Sequence, residues 1–189
     1  MVLASASPRR HHLLVAAGFE VVICPADVEE IQSGLPARDL VLCNALMKAE
    51  SIASGRHGEL VIGADTVVVL DGEILGKPDN LDQAAEMLSK LGGRVHEVLT
   101  GVCLIRGGNP ARCQFVESTR VSFRSLDAAT IASYVREINP LDKAGSYSAQ
   151  EDDGRLIERV EGSFENVIGL PVEQVIRAIE NHFTEPPAG

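Results

Sequence analysis

Residues 61–70, VIGADTVVVL, read as one strand with two apolar faces and a carboxylate in its middle. Side chains alternate along a strand, so Val61, Gly63, Val67 and Val69 share one face and Ile62, Ala64, Val68 and Leu70 the other. Strands apolar on both faces lie in the centre of covered sheets. A carboxylate there is costly unless a cation, a metal or hydrogen bonds compensate it. Asp65 is therefore either paired structurally or part of a site. Asp71-Gly72 has the chemistry of a tight hairpin turn, and the returning strand carries Lys77 back to the same end of the sheet. A carboxylate and an ammonium so placed suit an anionic substrate handled with a metal ion.

Other stretches bear on the same chemistry. Ser5-Ala6-Ser7-Pro8-Arg9-Arg10 lies where a short strand, Val2–Ala4, hands over to a helix, Leu13–Ala17, closed by Gly18. Ser7 suits the N-cap and Pro8 the first helical position. Free backbone N–H groups at such a junction favour an anion, and two arginines add bidentate phosphate recognition. The alternative is a capped helix with two solvated arginines. Pro25–Glu30 is an acidic loop, either merely solvated or supplying one carboxylate to Mg²⁺. A helix opened by Pro36 runs to about Ser54, with Leu40, Val41, Asn44, Ala45, Lys48, Ala49 and Ile52 at helical spacing. Lys48 within that stripe either snorkels to solvent or aims a cation into a cleft. His11 and His12 point to different faces and make poor joint metal ligands.

These groups must be positioned by a chain of 189 residues, 45% hydrophobic and 23% charged, an ordinary α/β composition. A net charge of −10 argues against general binding to nucleic acid or acidic membrane. The chain starts on a strand-like VLAS with no signal-like stretch, and no apolar run approaches a membrane span. Cys24, Cys43, Cys103 and Cys113 form no CxxC; reduced thiols in the cytosol are expected, although Cys103 and Cys113 sit where a hairpin would set them face to face.

Phe19–Cys24 is expected as a strand, and Asn80 with Gln83 caps a helix that stops at Gly92-Gly93. Arg94–Ile105 and Arg112–Phe123 are expected as an antiparallel pair about a turn at Gly107-Gly108-Asn109-Pro110, with His96 and Thr100 on one face, either lining a cleft or, the preferred reading, as sheet-surface residues. A helix over Asp127–Glu137, a polar loop over Asp142–Gln150, a strand over Leu156–Val160 and a helix over Val172–His182 complete the chain. The tail from Thr184 to Gly189 is expected to be disordered.

In their order and spacing, several motifs resemble the Maf family of nucleoside triphosphate pyrophosphatases over nearly the whole chain. They are LASASPRR at 3–10, Glu30 in the acidic loop, Lys48-Ala49, IGADTVV at 62–68 and LGKP at 75–78. GRVHEVLTGV at 93–102, DKAGSY at 142–147 and GSFENVIGLP at 162–171 continue the series. The resemblance implies one Maf-like domain over 1–189. Its fold would be α/β, an elongated mixed sheet flanked by helices with two lobes around a cleft, similar to inosine triphosphate pyrophosphatases. It also implies hydrolysis of a nucleoside triphosphate to monophosphate and pyrophosphate with a divalent cation, Mg²⁺ or Mn²⁺, in a cytoplasmic enzyme.

By that resemblance Asp65 is the proton acceptor. Ser5, Arg10, Lys48 and Lys77, with Ser7 at the helix N-terminus, surround the phosphates. Glu30, with Asp65, holds the metal. Arg9, Thr66 and Gln150 match the positions that mark the dTTP/UTP type, which the chain resembles in preference to the 7-methyl-GTP type. A house-cleaning activity on dTTP, UTP and modified pyrimidine nucleotides is implied. The alternatives are a 7-methyl-GTP pyrophosphatase and a non-catalytic nucleotide-binding regulator linked to septum formation. A homodimer is expected, with no nucleic-acid or membrane partner. The chain differs from the usual pattern at His12 and at Glu151-Asp152-Asp153.

Overall fold

A computed structural model of the chain describes residues 1–109 and 111–183. The tail from Thr184 and residue Pro110 of the expected turn lie outside the described residues. The apolar run around Asp65 forms β3, Leu60–Leu70. At its end Asp71 and Gly72 both take left-handed backbone angles, φ 49° and 84°. That geometry is what a two-residue hairpin requires, and Asp-Gly tolerates it. The return strand β4 is short, Glu73–Leu75, with Val68 opposite Leu75. Lys77 therefore stands beyond the strand that was expected to carry it.

Before β3 the chain forms β1 (Val2–Leu3), α1 (Pro8–Ala16), β2 (Val22–Ile23) and α2 (Ala37–Ala53). Both crossovers give parallel pairs, Val2 facing Val22 on one side and Val61 on the other. β2 is shorter than the expected Phe19–Cys24, because Phe19 and Val21 pack into a core instead of extending the ladder. After β4 come α3 (Leu81–Leu91), β5 (Val95–Arg106), β6 (Arg112–Phe123), α4 (Ala128–Glu137), a 3-10 turn over Ala144–Ser146, β7 (Ile157–Glu161), α5 (Phe164–Ile168) and α6 (Val172–His182). The strand order is β2-β1-β3-β5-β6-β7, with β4 on β3. With β7 antiparallel to β6, this is a mixed sheet of seven strands with flanking helices, an α/β fold. His96 and Thr100 are buried, at 2% and 0% exposure, and are not the sheet-surface residues expected. Thr100 lies in the stretch of β5 from Val98 to Ile105 that is buried on both faces between β3 and β6, and His96 is covered by the rings of Phe123 and Tyr147, which meet it edge-on.

By packing, the chain falls into two units. The first holds Met1–Asp65, Thr100–Glu117 and the segment from Gly169 onward. On one side of its strands Leu3, Ile62, Ala64, Val102 and Leu104 pack with Leu14, Leu170 and Val175. On the other, Val2, Ala4, Val61 and Cys103 meet Ala45 and Ala49 of α2. The alternation of Val61 and Ile62 between these two clusters is the pleat of β3 made visible. The second unit holds Thr66–Leu99 and Ser118–Ile168. Its core joins Val68, Leu70, Val98, Val121 and Phe123 to Leu88 and Leu91 of α3 and Ile131 and Tyr134 of α4. Full burial of each leucine contributes roughly 1.5–3 kcal/mol before the entropy of ordering it is counted.

Candidate active site

α1 begins as its residues dictate. The Ser7 hydroxyl accepts from the Arg10 backbone N–H at 3.4 Å and Pro8 occupies the first turn. Ser5 Oγ accepts from Ser7 N at 3.2 Å and from Arg10 Nη1 at 3.3 Å. Arg10 is largely buried, at 9% exposure. Its Nε donates to Gly169 O and its Nη1 to Ala64 O, both at 2.9 Å. Burial lowers its pKa, against the pull of Asp65 and Glu30, yet a guanidinium remains charged in a protein. Arg9 beside it is half-buried.

Four residues away along β3 from the first core contacts, Asp65 is 7% exposed and fully engaged. Oδ1 accepts from Lys48 Nζ at 2.8 Å and Oδ2 from Asn44 Nδ2 at 3.0 Å. Asn44 and Lys48 are one helical turn apart on α2, so both face β3. Lys48 does not snorkel. Its ammonium is also 2.8 Å from Glu30 Oε1, so one buried cation holds two carboxylates. Glu30 comes from the irregular stretch after β2 and is partly exposed. In the sequence Asn44 is only one member of the helical stripe of α2. The available signal was a polar residue in that stripe one turn before Lys48.

In the second unit, Thr66 follows Asp65 on β3 and is half-buried. Lys77 is exposed and lines a hollow of about 280 Å³ with Glu73, Gln83, Glu86, Met87 and Lys90. The polar loop after α4 docks on the same turn, where Gly145 N donates to Gly76 O at 3.0 Å. Gly145 has φ 67°, and a Cβ there would lie 2.8 Å from Val68 Cγ2, so only glycine fits. Beyond it Tyr147 Oη sits 2.8 Å from His96 Nε2 in the core. Burial pushes the His96 pKa down to about 4. Gln150 is exposed. The acidic run after it is occupied locally. Glu151 lies 3.8 Å from the Lys143 ammonium, Asp152 accepts from the backbone of Leu156 and Ile157, and Asp153 pairs with Arg155.

Among the described residues no group of three or more His, Cys, Asp or Glu side chains is placed to hold a metal ion. Nor is any helix among them long and apolar enough to cross a membrane. All four cysteines are free.

The fold and this cluster define an α/β protein with two carboxylates gathered on one buried ammonium beside a serine- and arginine-bearing helix N-terminus. The chain belongs to the Maf family: the family model described as Maf-like protein matches residues 1–182. It is 46% identical over 177 residues to a dTTP/UTP pyrophosphatase of Anaeromyxobacter dehalogenans, covering 92% of this chain and 89% of the relative. A dTTP/UTP pyrophosphatase of Bacillus cereus is 40% identical over 181 residues, covering 95% and 94%. One of Desulfitobacterium hafniense is 43% identical over 182 residues, covering 93% and 82%. A solved nucleoside-triphosphatase / dITP/XTP pyrophosphatase from Mycobacterium abscessus matches 95% of this chain and 92% of its own at 14% identity, with a TM-score of 0.44.

Proposed function

We propose that this chain hydrolyses nucleoside triphosphates, dTTP and UTP above others, to the monophosphate and pyrophosphate. The observation that carries the reading is the Glu30–Lys48–Asp65 cluster, set in a chain 40–46% identical to relatives named for that activity. Two carboxylates 2.8 Å from one ammonium support reading this point as a place for positive charge. Their hard oxygen donors fit Mg²⁺ or Mn²⁺, which is commonly held by one or two carboxylates and the substrate's phosphates. Glu30 and Asp65 are the residues that would hold it, and it would offset phosphate charge when bound.

The chain's own groups do the rest. Asp65 accepts a proton from the water that attacks the α-phosphorus, and the bond to the leaving pyrophosphate breaks in line; Asn44 stays on Asp65 Oδ2. Lys48 stands beside the acceptor, and its ammonium balances the charge that builds on the phosphates. Ser5, Ser7 and the N-terminus of α1, with Arg10 and Lys77, bind the polyphosphate. Arg9, Thr66 and Gln150 select the base. The Gln150 amide both donates and accepts, matching the carbonyls and the N3–H of thymine and uracil. A cytoplasmic homodimer is part of the same proposal.

Pyrophosphate release from a panel of dTTP, UTP, 7-methyl-GTP, ATP, GTP and inosine triphosphate tests the proposal, with Mg²⁺ and Mn²⁺ in parallel. Preferred turnover of dTTP and UTP is expected. Gln150→Ala should erode the preference by the worth of one unpaired polar contact, about 1–3 kcal/mol. Preferred turnover of 7-methyl-GTP or equal turnover of purines and pyrimidines would overturn the base assignment, and nucleotide binding without turnover would overturn the enzyme.

A further inference from the structure

Asn44 touches no part of the nucleotide in the scheme above, yet it is 1% exposed and its whole amide is used. Its Oδ1 accepts from Ile31 N at 2.8 Å and its Nδ2 donates to Ile31 O at 3.0 Å. That closed ring imitates a strand pairing and grips the backbone of the residue directly after Glu30. The second amide hydrogen goes to Asp65 Oδ2 at 3.0 Å. One side chain thus ties the Glu30 segment, which has no regular structure, to a carboxylate on β3. Asp65 is left with Oδ1 turned to the cation that Glu30 Oε1 also meets. A polar group buried to this degree persists because its partners compensate its desolvation, and here its three bonds, two to Ile31 and one to Asp65, together link the Glu30 segment to the Asp65 carboxylate.

We propose that Asn44 is a positioning residue that sets the separation and orientation of the Glu30 and Asp65 carboxylates, and so how tightly the pair takes a divalent cation. The inference rests on the reading of that pair as the metal holder. Partners one step behind the ligands typically govern metal affinity by roughly 10–100-fold.

The test uses Mn²⁺ as the probe. Free Mn²⁺ is counted by its paramagnetic resonance signal, with the native chain, Asn44→Ala and Asn44→Gln, each with a non-hydrolysable dTTP analogue. Near-ultraviolet circular dichroism reports folding, and the analogue's affinity without metal is measured separately. The expected result is folded variants that bind the analogue as the native chain does and bind Mn²⁺ roughly 10–100-fold more weakly. Raising Mn²⁺ should restore their kcat, which no purely structural role would produce. No Mn²⁺ binding by the native chain overturns the metal-holding reading and this inference with it. Native binding with equal affinity in either folded variant overturns the inference alone. Failure of both variants to fold, or early melting with unchanged Mn²⁺ affinity, makes Asn44 structural and also overturns it.

Discussion

Asp65 has one oxygen on an ammonium and the other on an amide, and that arrangement sharpens what removing its charge does. In Asp65→Asn the amide still fills the space and can accept from Asn44, while Lys48 keeps Glu30 as partner. On the proposed role of Asp65 as proton acceptor, kcat should fall by roughly 10²–10⁴-fold. The buried ammonium loses one of two counter-charges, so the melting temperature falls by a few degrees, about 2–4 °C per kcal/mol for a chain of this size. Thermal unfolding beside pyrophosphate release checks this; early melting with full turnover of the folded fraction would return Asp65 to a structural role. Arg10 and Lys77 separate in the same way. Arg10 braces the carbonyls of Ala64 and Gly169 from a buried position, so Arg10→Ala should cost about 1–3 kcal/mol of stability as well as activity. Lys77 is exposed, so Lys77→Ala should leave stability within about 0.5 kcal/mol and change only the kinetics. Urea titrations of the two variants decide whether this contrast holds.

At the scale of elements, α2 sets the depth of the cluster. A Cβ on Gly63 of β3 would overlap the carbonyl oxygen of Ala45, and one on Gly101 of β5 that of Val41. Neither glycine has a left-handed φ, so their role is space: the helix backbone lies directly on the strands. Ala45 adjoins Asn44, and Lys48 follows within a turn. Gly63→Ala must therefore lift the helix, at roughly 1–3 kcal/mol of overpacking, and carry Asn44 and Lys48 away from Asp65. Activity should fall further than the loss of stability explains when assayed well below the melting point; a destabilised but fully active variant would show that the cluster tolerates the shift. The pleat of β3, the hairpin at Asp71-Gly72 and the capped starts of α1 and α3 were legible because each is encoded by a few adjacent residues. The helix depth was not, since glycine in a strand marks close approach without naming what approaches. α5 was also missed: five residues, Phe164–Ile168, are too few to show a helical period.

Across the whole molecule, the titration of a buried ring sets part of the acid limit of the fold. His96 has its pKa pushed from 6.5 to about 4 by burial, so the folded chain holds it neutral where the unfolded chain binds a proton. A depressed folded pKa means stability present above the unfolded value and lost as pH falls from there toward about 4. That contribution amounts to about 2 kcal/mol between neutral pH and about pH 5. His96→Gln, able to keep a bond to Tyr147, should be less stable at neutral pH but lose less on acidification; parallel urea curves for variant and native chain would refute the assignment. The candidate site was legible in the same uneven way. Asp65 announced itself as a charge in an apolar strand. Glu30 was one of several carboxylates in a loop, and no local pattern says which of them meets Lys48. Asn44 could be seen only once the loop and strand it joins were placed, because both its partners are remote in sequence.

Cys103 lies under α2 among Val2, Ala45, Ala49 and Val61, with its thiol pKa pushed up to about 12 by burial. A thiol so held reacts with alkylating reagents only when the helix lifts from the strands. With Cys24, Cys43 and Cys113 replaced, its labelling rate becomes a clock for that opening, readable without nucleotide, metal or denaturant. Ligands that draw Asn44, Lys48 and Asp65 together must slow the clock by the free energy with which they bind the closed form. The residue with no part in the chemistry is thus the one that can time it.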